Sequence, residues 1–336
     1  MDFKIGAINW DAALPRNTYF GSWAARSLSA PEFRCRVPYF AHIADDGAVQ
    51  FPLRTQSDFD RELTYAADAG IDYFAYCRYT DTVLDHPQNE VERTAGWHEL
   101  NFASHMHRRS ALRSRIGYCL ILRPSKMNDA DFAALPDELA ADCYVKLDGR
   151  PLVYIFGGEP GDLLPGRLRL RDVMRRRGAP EPYFVVLGCN LHTAGLAEAD
   201  AVSHYAICPT DCARYGDLAQ RVMDANLDAA RTGLPVIPTF STGWDPSPRI
   251  LSPVPWTSYK PGVYAEAAPG ELAAALVQFA EFTAAHRDAF PTGHILTFAW
   301  NEFEEGGWLC PTRRADGTPN TARLDAFAHA LRVIRL

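Results

Sequence analysis

Eight short apolar segments recur along the chain, and the stretches between them have the spacing of amphipathic helices. Rich in β-branched and aromatic residues, they predict strands at about Lys4–Trp10, Asp72–Tyr79, Ile116–Leu122, Leu152–Phe156, Tyr183–Cys189, Ala201–Ile207, Pro235–Thr242 and His294–Trp300. Strands that are apolar throughout and alternate with helices are typical of a parallel sheet covered on both faces.

The intervening stretches predict helices at Asp58–Ala69, Asn101–Arg113, Asp129–Ala141, Leu168–Arg177, Leu218–Arg231, Glu271–His286 and Thr321–Ile334, with a weaker one at His192–Ala199. Ser57 is expected to cap the first helix, which ends at Gly70. A doubly wound open sheet would favour a glycine-rich phosphate turn after an early strand, and Gly157-Gly158 does not match that pattern. Eight units close a barrel, so we predict a single (β/α)8 TIM barrel over residues 1–336, with a long loop after the first strand.

Composition argues against several classes of protein. The chain has 34 Lys and Arg against 41 Asp and Glu, and this net charge of −7 does not favour a nucleic-acid backbone as partner. No apolar run reaches the ~18 residues of a membrane helix, and the N-terminus lacks a signal-peptide pattern. We therefore expect a cytoplasmic protein that binds neither nucleic acid nor a membrane, and the oligomeric state stays open.

Cysteine usage fits a reducing compartment. Three of the eight cysteines lie within predicted strands, as small buried apolar residues do: Cys77, Cys119 and Cys189. Cys208 and Cys212, with His204 upstream, could be metal ligands, but no second pair with zinc-site spacing accompanies them. We expect reduced thiols, no metal and no cofactor.

In a parallel barrel the active site forms from the loops that follow the strands. By this rule the candidate substrate-binding residues are Asp11, Tyr76, Arg78, Arg123, Asn190, His204, Tyr205, Trp244, Asp245, Arg249, Asn301 and Trp308; Tyr79 and Trp256 lie on the same rim. Aromatic rings stack on sugar faces, while carboxylates and amides bind hydroxyls, so this mixture predicts a carbohydrate substrate. For Tyr76, Tyr154 and Trp10, taken singly, a place in the core is favoured over substrate binding. The GxSxG and HExxH signals of esterases and metalloproteases are absent.

The segment Ile295–Gly307 is the most informative. An apolar strand runs into Asn301-Glu302, and Glu304, Glu305 and two glycines follow. Charges directly after a buried strand need a partner, water or substrate. Glu302 and Glu305 share a side only if the backbone turns helically, which the glycines favour. A solvated acidic turn is the alternative, and it is favoured for Glu304. Two carboxylates beside one bond are the groups that glycoside hydrolysis uses.

The segment Trp300–Gly306 resembles the Trp-Asn-Glu-Trp-x-Glu-Gly segment of the glycoside hydrolase family 99-like barrels. That group includes endo-α-mannosidases, the related family 71 α-glucanases and polysaccharide-biosynthesis proteins described as glycosyltransferases. Gly70–Tyr76, Tyr144–Pro151 and Thr242–Arg249 are similar to other segments of the group, so the resemblance extends over about residues 57–330.

The resemblance implies a catalytic pair. Glu302 matches the glutamate that is thought to deprotonate the sugar 2-hydroxyl for internal attack on the anomeric carbon, and Glu305 matches the general acid/base. These roles require an ionised Glu302 and a protonated Glu305. Glu304 occupies the variable position, Asn301 matches a positioning residue, and Tyr205 is a candidate to hydrogen-bond Glu302.

The chain also departs from the pattern. Phe303 stands where Trp is usual, Arg123 ends the third strand where many biosynthetic relatives have Trp-Ala-Asn, and the first loop does not match the mannosidases. The resemblance therefore does not imply which sugar is bound. Trp244 and Asp245, in a polar loop after the seventh strand, are expected to bind substrate rather than to stabilise the fold.

The leading hypothesis is a hydrolase of α-glycosidic bonds in an oligo- or polysaccharide, retaining through 2-hydroxyl participation. A polysaccharide-biosynthesis glycosyltransferase on the same barrel is the alternative; the chain lacks a nucleotide-binding fingerprint, but Arg78, Arg123 and Arg249 could bind phosphate. The third hypothesis is a sugar-binding barrel without catalysis, and the presence of both Glu302 and Glu305 argues against it.

Overall fold

The computed structural model describes residues 3–15, 18–81, 97–156, 160–188 and 199–336. Its main strands are β1 (Lys4–Asn9), β2 (Tyr73–Arg78), β3 (Gly117–Leu122), β4 (Arg150–Phe156), β5 (Tyr183–Leu187), β6 (Ala201–Ser203), β7 (Thr239–Ser241) and β8 (His294–Phe298). Neighbours in chain order are parallel, and β8 returns to pair with β1, with Lys4 opposite His294. The predicted (β/α)8 barrel is confirmed.

The barrel closes at a seam between β6 and β7, where backbone pairing is short. Val202 and Val236 form an isolated parallel bridge just before β7. Beside it, Oγ1 of Thr239 accepts a hydrogen bond from the His204 N–H at 3.2 Å and donates one to the His204 carbonyl at 2.7 Å. The side chain of Asn226 in turn binds the backbone N–H and carbonyl of Thr239 at 2.8 and 2.9 Å. Side-chain hydrogen bonds thus supplement the short backbone pairing between β6 and β7.

Helices alternate with the strands. They are α1 (Tyr19–Ser27), α2 (Gln56–Asp68), α3 (Phe102–Arg109), α4 (Asp129–Leu139), α5 (Pro160–Arg176), α6 (Tyr215–Ala230), α7 (Ser247–Leu251), α8 (Pro269–Ala285) and α9 (Ala322–Arg335). The predicted cap of α2 is wrong, because Thr55 rather than Ser57 forms a reciprocal capping box with Asp58. Gly70 follows the end of α2 with a φ of +86°. The weak helix predicted at His192–Ala199 falls largely on residues 189–198, outside the described ranges.

The long segment between β1 and α2, predicted as a loop, carries its own structure. It contains α1, a 3-10 helix at Pro31–Arg36 and a hairpin of His42–Ile43 with Val49–Gln50. The Tyr39 N–H binds the carbonyl of Pro311 at 3.1 Å, which ties this segment to the loop after β8. It therefore covers the side of the barrel rim where the acidic segment lies.

The strands form the core, as their apolar sequence predicts. Ile8, Phe74 and Leu120 are completely buried. Cys77 and Cys119 lie in β2 and β3 as buried thiols without a disulfide, as predicted, and Cys189 lies outside the described residues. In the part of the chain that the structure describes, no helix has the length and apolar character needed to span a bilayer.

Candidate active site

The acidic segment after β8 folds into a tight turn. Asn301–Glu302 pairs with Gly307–Trp308, and between them Phe303–Glu305 forms one turn of 3-10 helix. Gly306 ends this turn with a φ of +79°, and a Cβ there would lie 2.5 Å from the backbone nitrogen of Asp245, so the position requires glycine. In a 3-10 turn, residues three apart lie on one side, and Glu302 and Glu305 both face the same cavity.

This cavity, of about 720 Å³, opens at the carboxyl ends of the strands. It is lined by Trp10, Cys77, Tyr79, Ile121, Arg123, Lys126, Phe156, Tyr205, Arg249, Pro255, Trp256, Thr257, Tyr259, Glu302 and Glu305. The rings of Trp10 and Trp256 lie 5.9 Å apart and form part of an aromatic wall. The volume lies within the ordinary range of small-molecule sites, and the mixture of rings, carboxylates and cations suits a sugar.

One guanidinium contacts all three glutamates of the turn. Nη1 of Arg249 forms an ion pair with Oε1 of Glu305, Nε and Nη2 lie 3.3 and 3.4 Å from Glu304, and Nη2 lies 3.6 Å from Oε2 of Glu302. The four residues are at most 6% exposed. Because three buried carboxylates face one cation, the cluster favours retention of a proton.

Glu302 is the carboxylate on which the surroundings favour that proton. Its Oε1 accepts a hydrogen bond of 2.6 Å from the hydroxyl of Tyr205, whereas its Oε2 has no hydrogen-bond partner among the described residues. Burial raises the pKa of Glu302 well above its usual range, and the charge of Glu305 adds to the rise; Arg249 and the Tyr205 hydrogen bond oppose it.

Glu305 has the opposite surroundings. Its Oε1 accepts hydrogen bonds from Arg249 and from the hydroxyl of Tyr259. These contacts fix the position of the Glu305 carboxylate. The sequence predicts an ionised Glu302; in the structure burial and the charge of Glu305 raise the pKa of Glu302, which favours its protonated form.

Glu304 is buried, and its prediction as a solvated acid is wrong. Its Oε1 accepts a hydrogen bond of 2.7 Å from Oγ of Ser27, at the end of α1, and its carboxylate faces Arg249. It does not line the cavity. The segment after β1 covers this residue, which is why the turn is not solvated.

The structure brings five predicted site residues together at the cavity: Arg123, Tyr205, Arg249, Glu302 and Glu305. The guanidinium carbon of Arg123 lies 4.8 Å from the centroid of the Phe156 ring. Tyr205 packs edge-on against the same ring at 5.0 Å. The side chains that follow β3, β4, β6, β7 and β8 thus form one continuous surface.

Asp11 and Tyr76 do not line the cavity, although both were candidates for substrate binding. Asp11 forms a buried ion pair with Arg54, and burial raises the pKa of its carboxyl despite this cation. The hydroxyl of Tyr76 lies 2.9 Å from Nδ1 of His107, inside the core. Both side chains bond to other side chains of the protein: the segment after β1 supplies the partner of Asp11, and α3 supplies the partner of Tyr76.

Arg78 and His204 are likewise engaged elsewhere. Arg78 forms an ion pair with Asp81 beside β2. The two ring nitrogens of His204 lie 2.8 and 3.2 Å from the carbonyls of Gly188 and Ala225, so neither is oriented toward a metal. Among the described residues, no group of three or more His, Cys, Asp or Glu side chains is arranged to hold a metal ion.

The loop after β7 corrects a further prediction. Trp244 is 3% exposed and packs against Tyr259 and Phe298, with ring centroids 5.7 and 5.8 Å away. Asp245 forms an ion pair with Arg36, from the segment after β1. Neither lines the cavity, so both support the site from behind.

Asn301 and Trp308 also lie behind the cavity wall. The amide of Asn301 accepts a hydrogen bond from the Trp10 N–H at 2.9 Å and donates one to Oδ1 of Asn9 at 3.0 Å, which fixes β1 against the acidic turn. Trp308 is buried, with the guanidinium carbon of Arg323 4.1 Å from its ring centroid. Asn190 lies outside the described residues.

Sequence reasoning missed Tyr259, Lys126 and Phe156 as cavity residues. Tyr259 follows Trp256 in a proline-rich polar loop after the seventh strand. Two aromatic residues in such a loop indicate a candidate position at the cavity, and this pattern could have identified Tyr259. Trp10, for which core packing is the favoured prediction, is buried and also lines the cavity, and its indole N–H donates to the hydroxyl of Tyr79 at 3.0 Å.

A scan against protein-family models finds no match, and a search of curated proteins finds none either. Among solved structures, a glycoside hydrolase-like protein has a TM-score of 0.58 at 15% identity, over 98% of this chain and 94% of its own. A GH99 endo-α-mannosidase from Bacteroides thetaiotaomicron in complex with bis-tris-propane has a TM-score of 0.61 at 11% identity, over 100% and 98%. A second structure of GH99 endo-α-mannosidase from this organism has a TM-score of 0.52 at 12% identity, over 84% and 80%. The resemblance to family 99-like barrels is therefore confirmed at the level of the fold.

Proposed function

We propose that the protein is a glycoside hydrolase that cleaves an α-glycosidic bond in an oligo- or polysaccharide, with Glu302 and Glu305 as its catalytic pair. The observation that carries the proposal is that both carboxylates face one aromatic-lined cavity at the carboxyl end of the barrel and contact the same guanidinium, that of Arg249. Cleavage of a glycosidic bond needs a proton donor and a second carboxylate beside one bond, and this arrangement provides them.

In the proposed first step, Glu302 takes the proton of the sugar 2-hydroxyl, and that oxygen attacks the anomeric carbon. The bond to the leaving oxygen breaks as this oxygen receives a proton from Glu305. Water then opens the strained 1,2-anhydro ring: Glu305 takes a proton from the water, and the 2-oxygen recovers its proton from Glu302. The two inversions retain the anomeric configuration. A raised pKa makes Glu302 a stronger base than an ordinary carboxylate.

The step requires an ionised Glu302 when the bond is cleaved. A 2-hydroxyl that donates a hydrogen bond to the carboxylate of Glu302 stabilises the ionised form of that carboxylate. Oε2 of Glu302 has no hydrogen-bond partner among the described residues and lies 3.6 Å from Nη2 of Arg249, so it has unused acceptor capacity. Substrate binding would thereby lower the pKa of Glu302.

The test compares Glu302→Gln and Glu305→Gln on an α-oligosaccharide and on an activated aryl α-glycoside. Glu305→Gln should lose most activity on the oligosaccharide and much less on the aryl glycoside, whose leaving group needs little protonation. Glu302→Gln should be inactive on both, and a 2-deoxy substrate should be poor for the unaltered protein. Glu304→Gln, the same isosteric change between them, is the matched control and should remain active.

Two results would contradict this mechanism. Near-normal turnover by Glu302→Gln would place the catalytic group elsewhere on the rim. An inverted product anomer would replace internal attack by a mechanism in which one carboxylate activates water.

A glycosyltransferase is the second candidate, because Arg123 and Lys126 line the same cavity and a phosphate-linked sugar donor needs such cations. Transfer from a nucleotide-linked sugar to an acceptor, without hydrolysis of α-oligosaccharides, would favour it. Sugar binding without turnover of either substrate would favour the third hypothesis, a sugar-binding barrel without catalysis.

A further inference from the structure

The cavity has an acidic wall and a basic wall. Glu302 and Glu305 follow β8, whereas Arg123 and Lys126 follow β3 and line the same cavity. In an eight-stranded barrel with strands in chain order, β3 and β4 lie across the axis from β7 and β8. Arg123 and Lys126 therefore lie on the opposite side of the cavity from the two carboxylates.

Arg123 is held by an aromatic ring. Its guanidinium carbon lies 4.8 Å from the centroid of Phe156, which Tyr205 fixes edge-on at 5.0 Å. Among the residues that the structure describes, no acidic side chain forms an ion pair with Arg123. Stacking fixes the plane of a guanidinium and leaves its N–H edge available to an acceptor.

The charge of Arg123 acts within the cavity. Burial raises the pKa of the Cys77 thiol to about 12; the charge of Glu302 adds to this rise and that of Arg123 opposes it. The same two charges act in opposite directions on the pKa of Tyr79, which burial raises. Cys77 and Tyr79 also line the cavity, so both charges face one enclosed space.

The other cavity arginine is already neutralised. Arg249 contacts three carboxylates. Neutral sugar hydroxyls need no cation, whereas a guanidinium with an open edge matches the paired oxygens of a carboxylate, a sulfate or a phosphate. The charge distribution is therefore that of a site for a sugar with an acidic substituent.

We propose that the β3 side of the cavity is a subsite for an acidic group carried by the sugar substrate, with Arg123 as its ligand. This inference rests on the proposed function for its sugar context, and it names the substrate class: an α-linked oligosaccharide that contains a uronic acid, or a sulfated or phosphorylated sugar. The acidic group binds across the barrel from the bond that is cleaved.

Binding to the full chain, measured by calorimetry without turnover, tests the subsite. The probes are methyl α-D-glucuronide, methyl α-D-glucoside as its neutral counterpart, and inorganic sulfate as a probe independent of the ring. The glucuronide should bind at least about tenfold more tightly than the glucoside, since a hydrogen bond to a charged group contributes about 1.5 kcal/mol or more. Added salt should reduce this preference.

Variants identify the residues. Arg123→Gln should abolish the preference for the glucuronide and the binding of sulfate, and Arg123→Lys should retain part of both because it keeps the charge. Arg314→Gln removes an exposed arginine from another part of the surface and is the matched control; it should change neither. Circular dichroism verifies that each variant is folded.

Three results would overturn the subsite: equal binding of the two glycosides with no binding of sulfate, an unchanged preference in Arg123→Gln, or tighter binding of uridine diphosphate than of any sugar acid. Glu302→Gln separates this inference from the proposed function, because it should lose hydrolysis and keep the preference for the acid. If no α-glycoside is cleaved but the Arg123-dependent preference is present, the proposed function fails and the subsite stands; hydrolysis without that preference means the reverse.

Discussion

The hydroxyl of Tyr205 donates a hydrogen bond of 2.6 Å to Oε1 of Glu302, and this contact joins the loop after β6 to the acidic turn after β8. The bond favours the ionised carboxylate, while burial and the charge of Glu305 favour the protonated one. Tyr205 thus restrains the rise in the pKa of Glu302.

Tyr205→Phe should shift the acidic limb of the kcat/KM profile to higher pH by about one unit, because a lost hydrogen bond to a charged group corresponds to about 1.5 kcal/mol. The sign follows from the proposed role: Glu302 acts as a base, so a higher pKa means less active enzyme below it. The pH–rate profile is the measurement, with Tyr65→Phe, outside the cavity, as control. An unmoved limb would mean that the hydrogen bond does not tune Glu302.

Glu302→Gln should raise the melting temperature above neutral pH. The folded pKa of Glu302 lies above its ordinary value of 4.5, so between the two values only the unfolded chain releases the proton. Stability is therefore fully present below 4.5 and falls as the pH rises toward the folded pKa. Glutamine removes this loss, and thermal unfolding at several pH values should show a gain that increases with pH. A gain confined to acidic pH would contradict the burial argument.

Arg249→Met should lower the free energy of unfolding by about 3–5 kcal/mol, because it leaves buried carboxylates without their cation. Adding Glu304→Gln to that variant should recover part of the loss, since one uncompensated charge is then removed. Urea denaturation of the single and double variants measures this. Equal stability of the two variants would show that Glu304 does not destabilise the protein as an uncompensated charge once Arg249 is removed.

Exhaustive chelation should leave turnover unchanged. The guanidinium of Arg249 lies between the three glutamates of the turn and occupies the place that a metal ion bound by them would take. Activity is measured before and after dialysis against a chelator. Loss of activity that one added metal restores would require ligands other than those identified in the cavity.

Trp244→Ala should destabilise the protein by about 3–5 kcal/mol, as expected for a buried indole. The indole packs against Tyr259, whose hydroxyl binds Glu305, so catalysis should weaken as well. Trp23→Ala changes a half-buried tryptophan on α1 and should have a smaller effect on the melting temperature. A stable Trp244→Ala variant would mean that the indole is not part of the core.

The barrel was predictable because its signal is local and repeated. Each strand is a continuous apolar run, and residues such as Phe74 and Leu120 are buried as their runs indicate. The N-cap residue of α2 was not predictable, because Ser57 and Thr55 are both good capping residues. Which of them caps the helix depends on which one the Asp58 side chain can hydrogen-bond.

Site residues were harder to predict because a rim position does not determine which way a side chain faces. Arg78 ends β2 and Arg123 follows β3, yet Arg78 has Asp81 three residues away and is neutralised, whereas Arg123 lies over Phe156. Ser27 and Arg249 bury Glu304 from distant parts of the chain, and no local pattern reveals such partners.

The seam between β6 and β7 makes closure of the barrel depend on side-chain identity. The other neighbouring strands are joined by backbone hydrogen bonds, which almost any residue can make. Between β6 and β7, the hydroxyl of Thr239 and the side-chain amide of Asn226 make some of the hydrogen bonds instead. Hydrogen exchange should therefore report the lowest protection of the barrel at this joint. A substitution at Asn226 would loosen a ring of strands whose opposite half is unaltered, and Tyr205, two residues beyond β6, connects this joint to the acidic turn through its hydrogen bond to Glu302.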